Sequence, residues 1–150
     1  METPDWERFT YPGFKVEFLY PAVTPQGHEV ERLEERIEGH PVVGDYERVH
    51  LTSRGSEELY VEVARFPERT PRDEYELHRP HLTRRFGGGS VSELTETKLG
   101  QLRASAYGFR WDEGERSVLL LHVAGDTYRV IHDPRSALNA QVLATLTVID

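Results

Sequence analysis

The 150-residue sequence predicts an α+β domain built on a mainly antiparallel β-sheet flanked by helices. Three observations carry that expectation. Several short segments alternate apolar and polar side chains with the period of a half-buried strand, and short turn signals join them. Two other segments repeat apolar residues every three to four positions and carry helix-start signals. The order of these pieces, a hairpin, a helix, a three-stranded meander and a closing helix, leaves strands paired with their neighbours in sequence.

The elements follow in chain order. Residues 14–20 (Phe-Lys-Val-Glu-Phe-Leu-Tyr) alternate between Pro12-Gly13 and Pro21, which sets Phe14, Val16 and Phe18 on one face and Lys15, Glu17 and Leu19 on the other. Trp6 and Phe9 precede them as a short arm expected to pack back on the sheet. In HEVERLEERIEGHP, Val30, Leu33 and Ile37 have helical spacing and Gly39 is placed to close a helix, so propensity favours helix there. The same residues also suit a charged, exposed strand. Glu31, Glu34, Glu35 and Glu38 make this stretch a solvated acidic face or a dock for a basic partner.

Val49 and Leu51 begin a strand that turns at Ser53-Arg54-Gly55-Ser56 and returns through Leu59 to Phe66 as a hairpin. Thr70-Pro71 is a helix start, with Thr as cap and Pro at the first helical position. Tyr75, His78, Leu82 and Phe86 then mark an apolar stripe, and Gly87-Gly88-Gly89 ends it in a mobile loop. Pro80 inside this helix is expected to kink or divide it. The meander runs Arg103 to Trp111, Ser117 to Val123 and Thr127 to His132, with turns at residues 112–115 and 124–126. Leu138, Val142 and Leu146, with Leu143 beside them, form the stripe of a C-terminal helix. Asp133-Pro134 reads as its N-cap and first position, a carboxylate suited to the positive end of the helix dipole.

Composition narrows the function classes. A chain of this length forms one domain (residues 1–150) that buries about 70% of its unfolded surface, so no staple is required. The sequence contains no Cys and hence no thiolate chemistry or disulfide. The net charge of −8 opposes general nucleic-acid binding, which needs a basic face. Arg outnumbers Lys 16 to 2, a bias that fits a GC-rich or heat-adapted genome. The acidic N-terminus lacks a signal-peptide layout, and the apolar run Val118 to Ala124 is far short of the ~20 residues of a membrane helix. The expectation is a soluble, cytoplasmic protein with no membrane partner.

Candidate sites are few. His132-Asp133 looks like half of a catalytic pair, but neighbouring residues at a strand end point to opposite faces, and no nucleophile accompanies them. No catalytic residue and no cofactor is therefore assigned. His78 and His81, one helical turn apart with Asp73 and Glu74 nearby, are weak metal candidates, since no third ligand has a recognisable spacing. Arg84-Arg85-Phe86-Gly87-Gly88-Gly89-Ser90 has the flavour of a phosphate cradle but lacks the Gly-x-x-x-x-Gly-Lys order, and it ends a helix where phosphates favour the opening end.

The stretches YPGFKVEFLYP, TKLGQLRASAYGFRW and GDTYRVIHDPRSALNAQVLATL together resemble the PsbP-like fold, shared by an extrinsic photosystem II protein and a Ran-binding nuclear import factor. The resemblance implies a PsbP-like α/β/α sandwich, with helices on both sides of the sheet, and a soluble bacterial member of it. It further implies that residues 29–37 join the sheet. Relatives of this fold act as binding or assembly modules, so the resemblance implies a non-enzymatic domain with a protein partner. The alternative is a small-ligand or metal-binding protein with its pocket between the 70–86 helix and the sheet. No functional residue transfers, because the matching positions define the fold and no site.

Overall fold

The computed structural model describes residues 6–41, 44–112 and 114–149. In chain order the elements are β1 (Trp6–Phe9), β2 (Val16–Pro21), β3 (Val30–His40), β4 (Gly44–Ser53), β5 (Tyr60–Phe66), α1 (Pro71–Phe86), β6 (Thr95–Leu99), β7 (Leu102–Trp111), β8 (Gly114–Val123), β9 (Asp126–His132), α2 (Ala137–Leu143) and β10 (Thr147–Val148). Seven strands form one antiparallel sheet in the order β3-β4-β5-β9-β8-β7-β6, and three form a small sheet in the order β1-β2-β10. The hairpin and the meander stand where the alternation puts them. The short strands β6 and β10 escaped the sequence, β6 because its five residues TETKL carry a single apolar side chain.

The helix that propensity favours over residues 29–37 is a strand. β3 pairs with β4 in register from Val30↔Ser53 to Ile37↔Tyr46. A helix there would leave the backbone groups along the β4 edge open, and the ladder satisfies them at a cost of a few tenths of a kcal/mol per residue in lost helix propensity. Opposed charges reinforce the register: Arg48 donates to Glu35 directly across the ladder at 2.7 Å, and Arg54 donates to Glu31 at 2.6 Å. Arg32 bridges to the small sheet, donating to the Thr10 carbonyl at 2.7 Å with its guanidinium over the Phe9 ring.

Two cores lie on opposite faces of the large sheet. One joins Val49, Leu51, Val61, Val63, Tyr128 and Val130 to Phe9, Val16 and Phe18 of the small sheet and to Leu138, Val142 and Leu143 of α2. Phe9 stacks on Phe18 at 4.5 Å, so the N-terminal arm does fold back, as strand β1 on β2. The other core joins Tyr75 and Leu82 of α1 to Tyr107, Val118, Leu120 and Ile131. A helix covers this face alone. The opposite face is covered mainly by the small sheet, with the seven-residue α2 beside it, so the layers are unequal and differ from a plain helix–sheet–helix sandwich.

α1 starts as expected. Thr70 accepts from the Asp73 amide while Asp73 reaches back to the Thr70 amide, a capping box with Pro71 in the first turn. Pro80 does not divide it: the helix runs unbroken from Pro71 to Phe86. Losing one helical bond at Pro costs about 3 kcal/mol, and burial of Tyr75 and Leu82 on either side of Pro80 offsets it. Gly87 ends the helix at φ +100°, a conformation that side chains with a Cβ avoid.

Asp133 does not cap α2. Ser136 does, its Oγ accepting from the Asn139 amide at 3.2 Å while donating to the Glu58 carbonyl at 2.7 Å. Pro134 lies before the helix. The Asp133 carboxylate folds instead onto Arg135, accepting from its amide at 2.9 Å and from its guanidinium at 2.9 and 3.1 Å, with Arg116 at 3.5 Å. Three competing donors outbid the free helix amides. Asn139, fully buried, completes the joint by donating to the Asp133 carbonyl and accepting from the Tyr60 amide.

Candidate functional site: a charged pocket under α1

The strand register decides which side chains face α1. Arg48 and His50 on β4, Tyr60, Glu62 and Phe66 on β5, Arg129 and Ile131 on β9, Arg116 on β8, and Phe109 and Trp111 on β7 share one face, because those on one strand are an even number of positions apart and the ladders align them. α1 lies across that face, and most of these residues line a pocket of about 370 Å³ between the helix and the sheet. Leu77, His78, His81, Leu82, Arg85 and Phe86 close it from the helix side.

Its inner end is an ion-pair network. The Glu74 side chain, 1% exposed, accepts from Arg69 at 3.0 Å and from Arg129 at 3.1 Å. Arg129 also approaches Glu62 at 3.7 Å, and Arg48 approaches Glu62 at 3.8 Å while donating to Glu35. Burial opposes the Arg129 charge, but Glu74 and Glu62 outweigh it and hold its pKa above the usual arginine value. Arg48 behaves alike, with burial opposed by Glu35 and Glu62. The network is not closed on itself: the Nε groups of Arg48 and Arg129 and the indole N–H of Trp111 are buried without a hydrogen-bond partner among the described residues. Each such donor costs on the order of 1–3 kcal/mol.

Neutral polar groups flank the charges. Burial pushes the Tyr60 hydroxyl up to about 12, with Glu62 adding to the shift. Arg116 sits over two aromatic rings at once, 4.5 Å from Tyr60 and 4.8 Å from Trp111. His78 shares a short hydrogen bond with the Tyr107 hydroxyl, and burial, aided by the Arg129 charge, lowers its pKa to about 2, so the imidazole is neutral. Burial likewise raises the Tyr107 hydroxyl far above its ordinary range.

The metal candidates His78 and His81 both reach this pocket, but the Nδ1 of His78 is taken by Tyr107, and among the described residues no group of three His, Asp or Glu is placed to hold an ion. Asp133 lies outside the pocket lining, its oxygens committed to Arg135 and Arg116, which holds its carboxyl below the usual range. Arg84 and Arg85 of the Arg-Arg-Phe-Gly stretch do reach the site, at the exposed end of α1. Sequence reasoning passed over Arg48, Glu62, Arg116 and Arg129. The available signal was a charge at the centre of an apolar strand, as in YVEVARF and DTYRVIH, where a solvent-facing position and a roofed one read alike.

Among the described residues no helix is long and apolar enough to cross a membrane. No protein-family model matches this chain, and no curated protein matches it in sequence.

Proposed function

We propose that this protein binds a small organic molecule in the pocket under α1 and performs no turnover there. The observation that carries the reading is a concave site of about 370 Å³ that combines an aromatic wall (Tyr60, Phe66, Phe86, Phe109, Trp111) with convergent, largely buried charges. Apolar lining with a few fixed polar groups, in a cavity of this size, is the usual make-up of a ligand site. Binding is favoured over chemistry because the two buried carboxylates, Glu62 and Glu74, are held in ion pairs and the neutral His78 is tied to Tyr107, which commits the deepest acid and base groups to structural partners.

A thermal-shift screen against a chemically mixed set of small organic acids, amines and neutral aromatics tests this. A ligand at about a hundred times its Kd adds about 2.7 kcal/mol, which for a domain of this size raises the melting temperature by about 5 °C or more. Leu77→Trp, which fills the pocket from the helix side, should abolish the shift. No compound raising the melting point, or a shift that survives Leu77→Trp, overturns the reading.

A protein partner is the second reading. It is favoured by β3, an eleven-residue strand at the sheet edge that exposes Leu33 at 57%. An open edge of this kind accepts an added strand. The PsbP-like resemblance remains a proposal alongside it, supported by the strand-to-helix closure from β9 into α2 and by residues 30–40 lying in the sheet.

A further inference from the structure

Among the described residues the pocket is lined by five arginines and two glutamates, in a protein whose net charge is −8. Most of that positive charge is already matched. Arg48 and Arg129 face Glu62, Glu74 and Glu35, and Arg116 faces Asp133 at 3.5 Å. Arg84 and Arg85 differ: both are exposed, both line the pocket, and neither makes an ion pair among the described residues. The negative end of α1 lies beside them, but a helix dipole offers about half a charge and leaves most of their ten N–H donors free. The unmatched cations thus sit at the mouth, and the carboxylates sit inside. A ligand's anionic group belongs at the mouth, since deeper placement would bring it against Glu62 and Glu74.

The inner wall specifies the rest of the ligand. Phe86 and Phe109 lie nearly parallel, with ring centroids 5.9 Å and planes 9° apart, and Trp111 lies under the Arg116 guanidinium. Flat rings and a planar cation prefer a flat, polarisable partner. We propose that the ligand is a planar aromatic carboxylate, its ring system between α1 and the sheet and its carboxylate held at the mouth by Arg84 and Arg85. The proposal rests on the reading of this pocket as a binding site.

Three probes of matched shape test it: 2-naphthoate, the neutral 2-naphthalenemethanol and the cationic 2-naphthylmethylammonium. The sequence has two tryptophans, and Trp6 belongs to the opposite core, so a Trp6→Phe background leaves Trp111 as a fluorescence reporter within the pocket. Naphthoate should bind about fivefold to tenfold tighter than the alcohol at low salt, the ammonium more weakly than either, and added salt should erase the difference. The double change Arg84→Ala with Arg85→Ala should remove the preference while leaving the alcohol's affinity in place. The corresponding Gln pair serves the same purpose should the Ala pair lower the melting temperature. Equal binding of naphthoate and alcohol, tighter binding of the ammonium, or a preference that survives both double variants overturns the ligand assignment and leaves the pocket reading standing. No binding of any of the three, by fluorescence and by calorimetry, overturns both.

Discussion

The two faces of the seven-stranded sheet are made by the same strands one residue out of phase. On one face, Val49, Leu51, Val61, Val63, Tyr128 and Val130 meet the small sheet and α2 in a continuous apolar core. On the other, Arg48, Glu62 and Arg129 occupy the alternate positions, and α1 covers them without filling the space. The first face is packed with apolar side chains; the second encloses charge and leaves room. Apolar burial stabilises in proportion to area. A buried ion pair returns little net stability because desolvation consumes most of the Coulomb gain. The faces should therefore respond differently to substitution.

The largest effect is expected on the apolar face. Phe18→Ala, at a site 1% exposed and stacked on Phe9, should cost about 3–5 kcal/mol in urea denaturation. A cost under about 1 kcal/mol would show that the small sheet is peripheral to the core. On the charged face, Glu74→Ala removes the buried carboxylate that accepts from Arg129 and Arg69, and should cost about 3 kcal/mol. The triple change Glu62→Leu, Glu74→Leu and Arg129→Met should recover most of that loss and melt near the native protein, while binding in the pocket disappears. If the triple variant is as unstable as the single one, the network serves stability and the contrast between the faces fails.

A pH series sharpens the contrast further. His78 titrates at about 2 in the folded protein and near 6.5 when unfolded, so its contribution is fully present above about pH 6.5. Between pH 6.5 and 5 the unfolded chain binds the extra proton, and stability should fall by up to about 1 kcal/mol per pH unit. Burial also depresses His132, with the same sign. His78→Gln should flatten this slope, and an unchanged slope in melting temperature would refute the neutral, buried imidazole. The smallest effects belong to the helix caps: Thr70→Ala and Ser136→Ala should each cost about 1 kcal/mol. Asp133→Asn should perturb the Arg135 turn and leave the α2 cap intact.

Legibility followed the same division. Strand period, the turn at residues 53–56, the Thr70 cap with Pro71 after it and the glycine stop after Phe86 are local, and each was readable because a short run of residues contains the whole physical cause. Residues 29–37 read as either helix or strand because helix propensity is local and weak, whereas the open edge of β4 that decides for the strand lies elsewhere in the chain. Asp133 misled because Asp-Pro is a cap signal, and only the folded turn shows its carboxylate taken by Arg135 with Arg116 of β8 alongside, which leaves the cap to Ser136. His78 was visible as a helix residue, but its partner Tyr107 is 29 positions away.

By itself, then, the amino-acid order determined the alternation that separates Val61 from Glu62 and Val130 from Arg129, and with it a sheet having one apolar and one mixed face. Tertiary structure alone decided that the mixed face is roofed. Alternation says which side a charge points to, and says nothing of what lies above it. α1 crossing β7 and β8 turned solvent positions into buried ones and brought arginines from four elements to a single cavity. Burial, and with it shifted pKa values and a candidate site, is a property of elements in contact, which no single stretch of chain contains.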